Sequence, residues 1–216
     1  MTRVQFVIAG TAIDPYAAWG LVLSEKDISP PHPQIYRVPV EGRDGTVDLS
    51  DWTGHVRFED RTVKLTFSTM GGPAELADTL KRAQNALLGR RVQITLSTEP
   101  GSYYDGRCEA ITTGTGRRLG QLSAEFTCAP YKLRKEETVV RREIDGSEDI
   151  ELVNDRMPVI PVITVTAAMN ITFGGTTFSL GVGTHRLSAV LLQEGNNAVS
   201  VTGTGTITFT YREGSL

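Results

Sequence analysis

Regular alternation of apolar and polar residues within the stretch 42–132 is the feature that most constrains the fold of this chain. Apolar residues occupy every second position in the segments 63–67 and 92–96. Because successive side chains of a strand point to opposite faces, this period of two predicts strands that each bury one face. The 22 glycines and the frequent valine, isoleucine and threonine agree with a mainly β protein.

One segment of the same stretch has a helical pattern. Residues 73–88 begin with proline, which the first turn of a helix tolerates, and Gly89 is a typical C-terminal stop. The apolar residues fall on one stripe at helical spacing: Leu76, Leu80, Ala83 and Leu87. We predict one helix that packs this stripe against the strands. Arg90 and Arg91 are expected to be surface groups near its negative end rather than an anion site.

A segment at about residues 24–45 is rich in proline, with Pro30, Pro31, Pro33 and Pro39. Proline has no N–H to donate to a neighbouring strand, so this segment is expected to be an exposed arm or edge rather than an inner strand. Asp44 and Gly45 form a turn signal near its end. Two interpretations are open: the arm contacts a neighbouring subunit, or it is a loop with no partner.

Shorter patterns predict further strands and turns. Residues 4–8 and 16–23 are expected to pair at the N-terminus, and Asp60 with Arg61 is expected to form a turn or bulge. Residues 104–111 and 119–128 predict a hairpin, since glycine and threonine lie between them.

The two cysteines, Cys108 and Cys128, lie in the two strands of that hairpin. With the tip near Thr115 and Gly116, Cys108 pairs with about position 123, so the two cysteines lie roughly 17 Å apart along the ladder. That separation is too large for a disulfide. We therefore predict two small buried thiols in a reducing compartment.

A charged run at 132–137, continued at 141–143, separates two β-rich blocks. Such a run is typical of a linker or a solvated strand. We predict an N-terminal domain at 1–133 and a C-terminal domain at 134–216. The second domain is expected to be a small β-sandwich of lectin or carbohydrate-module appearance. Its predicted strands are 159–165, a hairpin at 171–180 that turns at Gly174 and Gly175, then 187–193, 198–202 and 206–212, with a tight turn at 194–197.

Charge and hydropathy argue against nucleic acid and membranes as partners. The net charge is −3 and the basic residues are scattered, whereas a nucleic-acid-binding protein concentrates positive charge against phosphates. The first residues contain an apolar run too short for a signal peptide or a membrane span. We expect no membrane partner and folding in a cytoplasm.

None of the motifs supports catalysis, a cofactor or a metal. Gly114, Gly116 and Gly120 resemble a dinucleotide loop but lie in a hairpin that opens no helix. Three histidines are isolated in sequence, and five acidic residues lack the spacing of a calcium loop: His32, His55, His185, Asp44, Asp48, Asp51, Glu59 and Asp60. We predict that the protein is not an enzyme. A glycosidase with two distant carboxylates is a minor alternative.

An ordered set of short motifs covers nearly the whole chain. They are residues 38–45 leading to 47–49, the strand 63–67, 87–89, 103–108, 126–132 and the final 209–216. Their order resembles the distal tail protein (Dit) family of siphophages, the long-tailed non-contractile bacteriophages, also described as phage tail family or minor tail proteins of the baseplate hub. Glu41, between Val40 and Gly42, departs from the expected pattern of the arm.

This resemblance implies a structural virion protein of a phage or prophage tail, assembled in the host bacterial cytoplasm. The N-terminal domain would be a β-sandwich-like body with an embedded helix, which forms a hexameric ring through the arm. The C-terminal domain would be a galectin-like or carbohydrate-module-like β-sandwich. The ring would meet the tail tube protein on one face and the tail-associated hub or tail-fibre protein on the other, with DNA only passing through its lumen and with no cofactor.

The main alternative is a carbohydrate-binding adhesion module that recognises the host surface, suggested by the second domain. Sugar sites commonly use exposed aromatic side chains. Phe173, Phe178, Phe209 and Tyr211 occupy strand positions where burial in the core is expected. The sequence leaves a glycan ligand of the second domain open, but no pattern of residues in that domain supports one.

Overall fold

The computed structural model describes residues 2–69, 73–115 and 120–216. The chain divides into two compact units, one that ends at Lys132 and one that runs from Leu133 to Leu216, called unit 1 and unit 2. The fold is mainly β, as the sequence predicts. Neither of the helices described is long and apolar enough to cross a lipid bilayer.

The described residues of unit 1 form an antiparallel sheet and two helices. Its elements are β1 (Val4–Ile8), β2 (Thr11–Ile13), α1 (Pro15–Trp19), β3 (Val22–Ile28), β4 (Arg37–Pro39), β5 (Thr46–Asp48), β6 (Arg61–Thr69), α2 (Pro73–Leu87), β7 (Arg91–Leu96), β8 (Ser102–Thr115) and β9 (Gly120–Cys128). The strand order in the sheet is β2-β1-β7-β8-β9-β6-β3, while β4 and β5 pair only with each other. A short strand, β10 (Lys132–Arg134), lies where unit 1 passes into unit 2.

The core of unit 1 contains the inward residues that the alternation predicts. In β6 and β7 the apolar members of 63–67 and 92–96 are buried. The ring of Phe6 in β1 lies 6.3 Å from that of Phe67 and 5.6 Å from that of Phe126 in β9. Helix α2 adds the buried side chains of Ala83 and Leu87 to this core. The predicted helix and its apolar face are confirmed.

The N-terminal strand pair differs from the prediction. Strand β1 pairs with β2, and the predicted strand 16–23 is divided between α1 and β3. The carboxylate of Asp14 accepts a hydrogen bond from the N–H of Tyr16 at 2.9 Å, and Gly20, at a φ of 67°, ends the helix. Asp14 and Pro15 are thus an N-cap and first-turn proline, which favour a helix start over a strand.

The predicted turn at Asp60 and Arg61 is also wrong. Arg61 is the first residue of β6 and is buried. Its Nε donates to the carbonyl of Ser29 at 3.1 Å, and its guanidinium lies 5.5 Å from the centre of the Tyr104 ring. An arginine that is buried in this way contributes its long aliphatic stem to packing.

The hairpin of β8 and β9 is confirmed, but its register differs from the prediction. Its tip, residues 116–119, lies outside the described residues. Cys108 pairs with Phe126, Cys128 pairs with Gly106, and Glu109 is an extra residue in a bulge. The cysteines are therefore diagonal neighbours rather than five residues apart. Both are free and buried, as predicted.

Unit 2 contains seven further strands. They are β11 (Thr138–Asn154), β12 (Val162–Val165), β13 (Met169–Phe173), β14 (Thr176–Leu180), β15 (Gly183–His185), β16 (Gly195–Tyr211) and β17 (Gly214–Ser215). The main path of the sheet is β14-β13-β16-β12-β15, and β11 also pairs with β16. The predicted hairpin at 171–180 is confirmed: it is formed by β13 and β14, and both turn glycines, Gly174 and Gly175, have positive φ.

The ribbon of β11 and β16 organises unit 2. It pairs 17 residues of each strand without interruption, from Thr138 with Tyr211 to Asn154 with Gly195. On its other edge, β16 pairs with β13 through residues 200–203 and with β12 through residues 207–210. The change of partner falls at Gly203 and Gly205, where an added Cβ would lie 3.0 Å and 2.9 Å from the side chain of Met169.

Three predictions for the second block are therefore wrong. Strands 198–202 and 206–212 are one strand, β16. Residues 187–193 contain no strand beyond a single bridge between Val159 and Leu192. Asn197, assigned to a tight turn, lies buried in β16, where its amide donates to the carbonyls of Leu152 and Gln193.

Gly106 is required by the close approach of β9 to β8. A Cβ at this position would lie 2.4 Å from the Sγ of Cys128 and 2.5 Å from the carbonyl oxygen of Thr127. We expect Gly106→Ala to destabilise unit 1 by about 1–3 kcal/mol, because overpacking forces the backbone apart. Urea denaturation followed by tryptophan fluorescence reports unit 1, which contains both tryptophans.

Gly101→Ala is the matched control for this substitution. A Cβ at Gly101 meets no atom within 4 Å, so the free energy of unfolding should change by less than about 0.5 kcal/mol. Equal stabilities of the two variants would contradict the packing at Gly106.

Burial makes both thiols unreactive in the folded protein. It raises the pKa of Cys108 to about 11 and that of Cys128 to about 12, because a thiolate is poorly solvated there. We expect Ellman's reagent at pH 8 to label neither thiol in the native protein and both in denaturant. Rapid labelling of the native protein would show that the hairpin opens.

Candidate functional site

The most prominent surface feature of unit 1 is a long hairpin, residues 29–60, here called the arm. It leaves the edge strand β3 after Ile28 and returns to β6 at Arg61. The predicted arm, 24–45, therefore differs at both ends: residues 24–28 belong to β3, and the returning strand extends to residue 60. Pro39 lies in β4, a strand that pairs on one edge only, as expected for proline.

Backbone hydrogen bonds run along the arm as a continuation of the sheet. The N–H of Ser29 donates to the carbonyl of Thr62 at 3.0 Å, and that of Gln34 donates to Arg57 at 2.8 Å. Farther out, β4 pairs with β5. The arm is thus an extended two-stranded ribbon rather than a loose loop.

Polar contacts fix the outer part of this ribbon. The carboxylate of Asp48 accepts hydrogen bonds from the backbone N–H and the hydroxyl of Ser50, at 3.0 Å and 2.5 Å. The Nε of Arg37, its cross-strand partner, donates to the same carboxylate at 3.3 Å. The Ser50 hydrogen bonds, followed by the contact with Arg37, hold the pKa of Asp48 below its usual value.

The root of the arm is anchored to unit 1. Pro31 is buried, and Pro33 forms a bridge with Phe58. The ring of Phe58 packs edge-on against that of Tyr131, with centroids 5.9 Å apart. These contacts involve only the first and last residues of the arm.

Beyond its root the arm buries none of its side chains. Every residue from 32 to 60 is exposed or half-buried. Trp52 is 78% exposed and Tyr36 is 62% exposed, and Ile35, Val40 and Leu49 are exposed as well. An isolated two-stranded hairpin is marginally stable in water. Large exposed apolar patches mark interaction surfaces, and the number of large apolar side chains exposed on this one hairpin makes the arm the candidate contact surface of unit 1.

A groove at the opposite end of β3 is a second surface feature, which the sequence analysis missed. It has a volume of about 430 Å³ and lies beside α1. Buried apolar side chains of Val4 and Leu21 contribute to its wall, and Tyr16 is exposed at its rim. The helix-start signal of Asp14 and Pro15 could have revealed α1, and with it this groove.

Several other residues singled out from the sequence have structural positions in the described part of the chain. Gly114 and Gly120 lie in paired strands, and Gly116 lies outside the described residues. Arg91 contacts Asp105 across β7 and β8 through two hydrogen bonds of 2.9 Å and 2.7 Å. Within the ranges 2–69, 73–115 and 120–216, no three His, Cys, Asp or Glu side chains are arranged to hold a metal ion.

Unit 2, all of whose residues are described, presents no exposed aromatic side chain. Phe209 and Tyr211 are buried, and Phe173 and Phe178 are half-buried against the same core. The predicted core position of these four residues is confirmed. The stacking surface that many sugar sites use is therefore missing from this unit.

No protein-family model matches this sequence, and no curated protein matches it by sequence. By structure, the chain is similar to the SPP1 Dit protein (gp 19.1), described as a paradigm of the hub adsorption apparatus in phages that infect Gram-positive bacteria. The TM-score is 0.68, the sequence identity is 18%, and the match covers 97% of this chain and 98% of that one. The chain thus has a Dit-like fold along its whole length, and the resemblance predicted from motif order is confirmed at the level of the fold.

Because the arm buries so little, the rest of unit 1 should not depend on it. We expect replacement of residues 35–56 by a four-residue Gly/Ser loop, a common hairpin length, to change the free energy of unfolding by less than about 0.5 kcal/mol. The fluorescence of Trp19, which packs against the core of unit 1, reports the transition. A loss of several kcal/mol would show that the arm stabilises its own unit.

Proposed function

We propose that this protein is a structural component of a phage tail, a distal tail protein of the baseplate hub. The observation that carries the proposal is the similarity to SPP1 Dit over 97% of the chain. A match of such extent includes both units, so it is more informative than a likeness to one β-rich domain. The order of sequence motifs supports the same family independently of the structure.

In finer detail, we propose a hexameric ring formed by unit 1. The ring joins the tail tube to the tail-tip or host-adsorption apparatus, with the tube protein on one face and a tail-associated hub or tail-fibre protein on the other. DNA passes through its lumen without being bound, consistent with a net charge of −3. The protein resides in the virion of a phage or prophage after assembly in the host cytoplasm.

The arm supplies one of the contacts between subunits. A closed head-to-tail ring uses two different patches on each subunit, one of which fits the other on the next copy. Exposed tryptophan and tyrosine are typical of the residues that dominate such contacts. Full burial of a large apolar side chain contributes about 1.5–3 kcal/mol. Burial of both Trp52 and Tyr36 at the contact would therefore contribute measurably to the free energy of ring closure.

The role proposed is structural, and it assigns neither catalysis nor a cofactor to the chain. A carbohydrate-binding function of unit 2 is not needed by this proposal, and the burial of its aromatic residues gives that function no support.

We expect the full chain to form rings of about six times its 23.5 kDa mass at high concentration, measured by light scattering and seen in negative-stain images. Trp52→Ala with Tyr36→Ala should weaken association at least tenfold, about 1.4 kcal/mol, and replacement of 35–56 should abolish it. Val182→Ala is the matched control, because Val182 is an equally exposed apolar residue of unit 2. Intact rings after replacement of the arm would contradict its role.

A further inference from the structure

We infer that the groove beside α1 receives apolar side chains of the arm of a neighbouring copy. The inference rests on the proposed ring and identifies the second of the two patches that the ring needs. It commits to one occupant, a second copy of this chain.

The groove and the arm lie at opposite ends of the same strand. Val22 and Leu23, the first residues of β3, line the groove, and the arm leaves after Ile28, the last residue of β3. Seven residues of strand separate these ends by about 23 Å. Since Ser29 continues the pairing of β3 with β6, the ribbon extends along β3 away from its own groove. The outer arm therefore lies away from the groove of its own copy.

Two different patches at opposite ends of one strand suit a head-to-tail contact. The large apolar side chains of the outer arm are exposed, and the groove is an open surface with Val22 and Leu23 half-buried in its wall and Tyr16 exposed at its rim. With a volume of about 430 Å³, the groove falls in the range of cavities that enclose small organic groups, and it is large enough for an indole or phenol ring.

Charge at the two surfaces is complementary as well. Arg3 is exposed at the groove, while Asp51 is exposed next to Trp52 on the arm. The groove also contains Asp14, but that carboxylate caps α1 through the N–H of Tyr16. With Trp52 in the groove, Asp51 is positioned to pair with Arg3 of the neighbouring copy.

Crosslinking in the full chain tests this contact. Thr53→Cys places a thiol beside Trp52, and Thr2→Cys places one at the groove, so that Trp52, Asp51 and Arg3 are all retained. The native cysteines are buried and do not compete. With a short bismaleimide, the double variant should give a ladder of covalent species up to the ring. Each single variant, and Thr53→Cys combined with Val182→Cys, should give none larger than a dimer.

Exchanging the charges of Arg3 and Asp51 tests the same contact without a crosslinker. Arg3→Glu and Asp51→Arg should each weaken association about tenfold, and the double variant should recover most of the loss. Circular dichroism verifies that all three are folded. A double variant as weak as the sum of the single ones would overturn the pairing.

The outcomes separate this inference from the proposed ring. A ring of six that gives no ladder overturns the groove as the receiving patch and leaves the ring intact. A protein that stays monomeric and gives no ladder overturns both. A ladder that closes at six supports both.

Discussion

A hydrogen-bonded β-ribbon satisfies its backbone but becomes stable only when one of its faces leaves water, and this requirement governs each part of the chain. In unit 1 the strands of the sheet bury Phe6, Phe67 and Phe126 in one core, to which α2 adds Ala83 and Leu87. In unit 2 the ribbon of β11 and β16 shares one core with β12 and β13. The arm is the exception, because its ladder continues from the sheet while its outer side chains stay in water.

Local patterns predicted what depends on local physics. Alternation at 63–67 and 92–96 predicted which faces of these strands are buried, and the apolar stripe of α2 predicted which face of the helix packs against the core. Register was not predictable, because β8 and β9 stay paired as far as Thr115 with Gly120, past the predicted tip, while the bulge at Glu109 offsets one position, so the partner of Cys108 is shifted by three positions. Strand β16 was divided at Gly203 and Gly205, since glycines usually mark turns; here they make room for Met169, a residue distant in sequence. The groove was missed because α1 has only five residues.

The proposed assembly accounts for the exposed apolar side chains of the arm. Unit 1 has the exposed apolar side chains of the arm at one end of β3 and the open groove beside α1 at the other. In the proposed ring, a contact between the arm of one copy and the groove of the next would remove apolar surface of both from water, and it would repeat at each subunit until the ring closes. The similarity of the fold to that of SPP1 Dit, a protein described as part of a phage hub, supports the proposed ring.

Hydrogen exchange of the arm amides tests most directly whether the arm is an element completed by a neighbour. The amides between Gln34 and Ser50 should exchange rapidly in dilute protein and gain protection as rings form, whereas those of β8 and β9 should be protected at every concentration. Fast exchange in the arm of fully formed rings would contradict the account, since it would show that the ring closes through another surface.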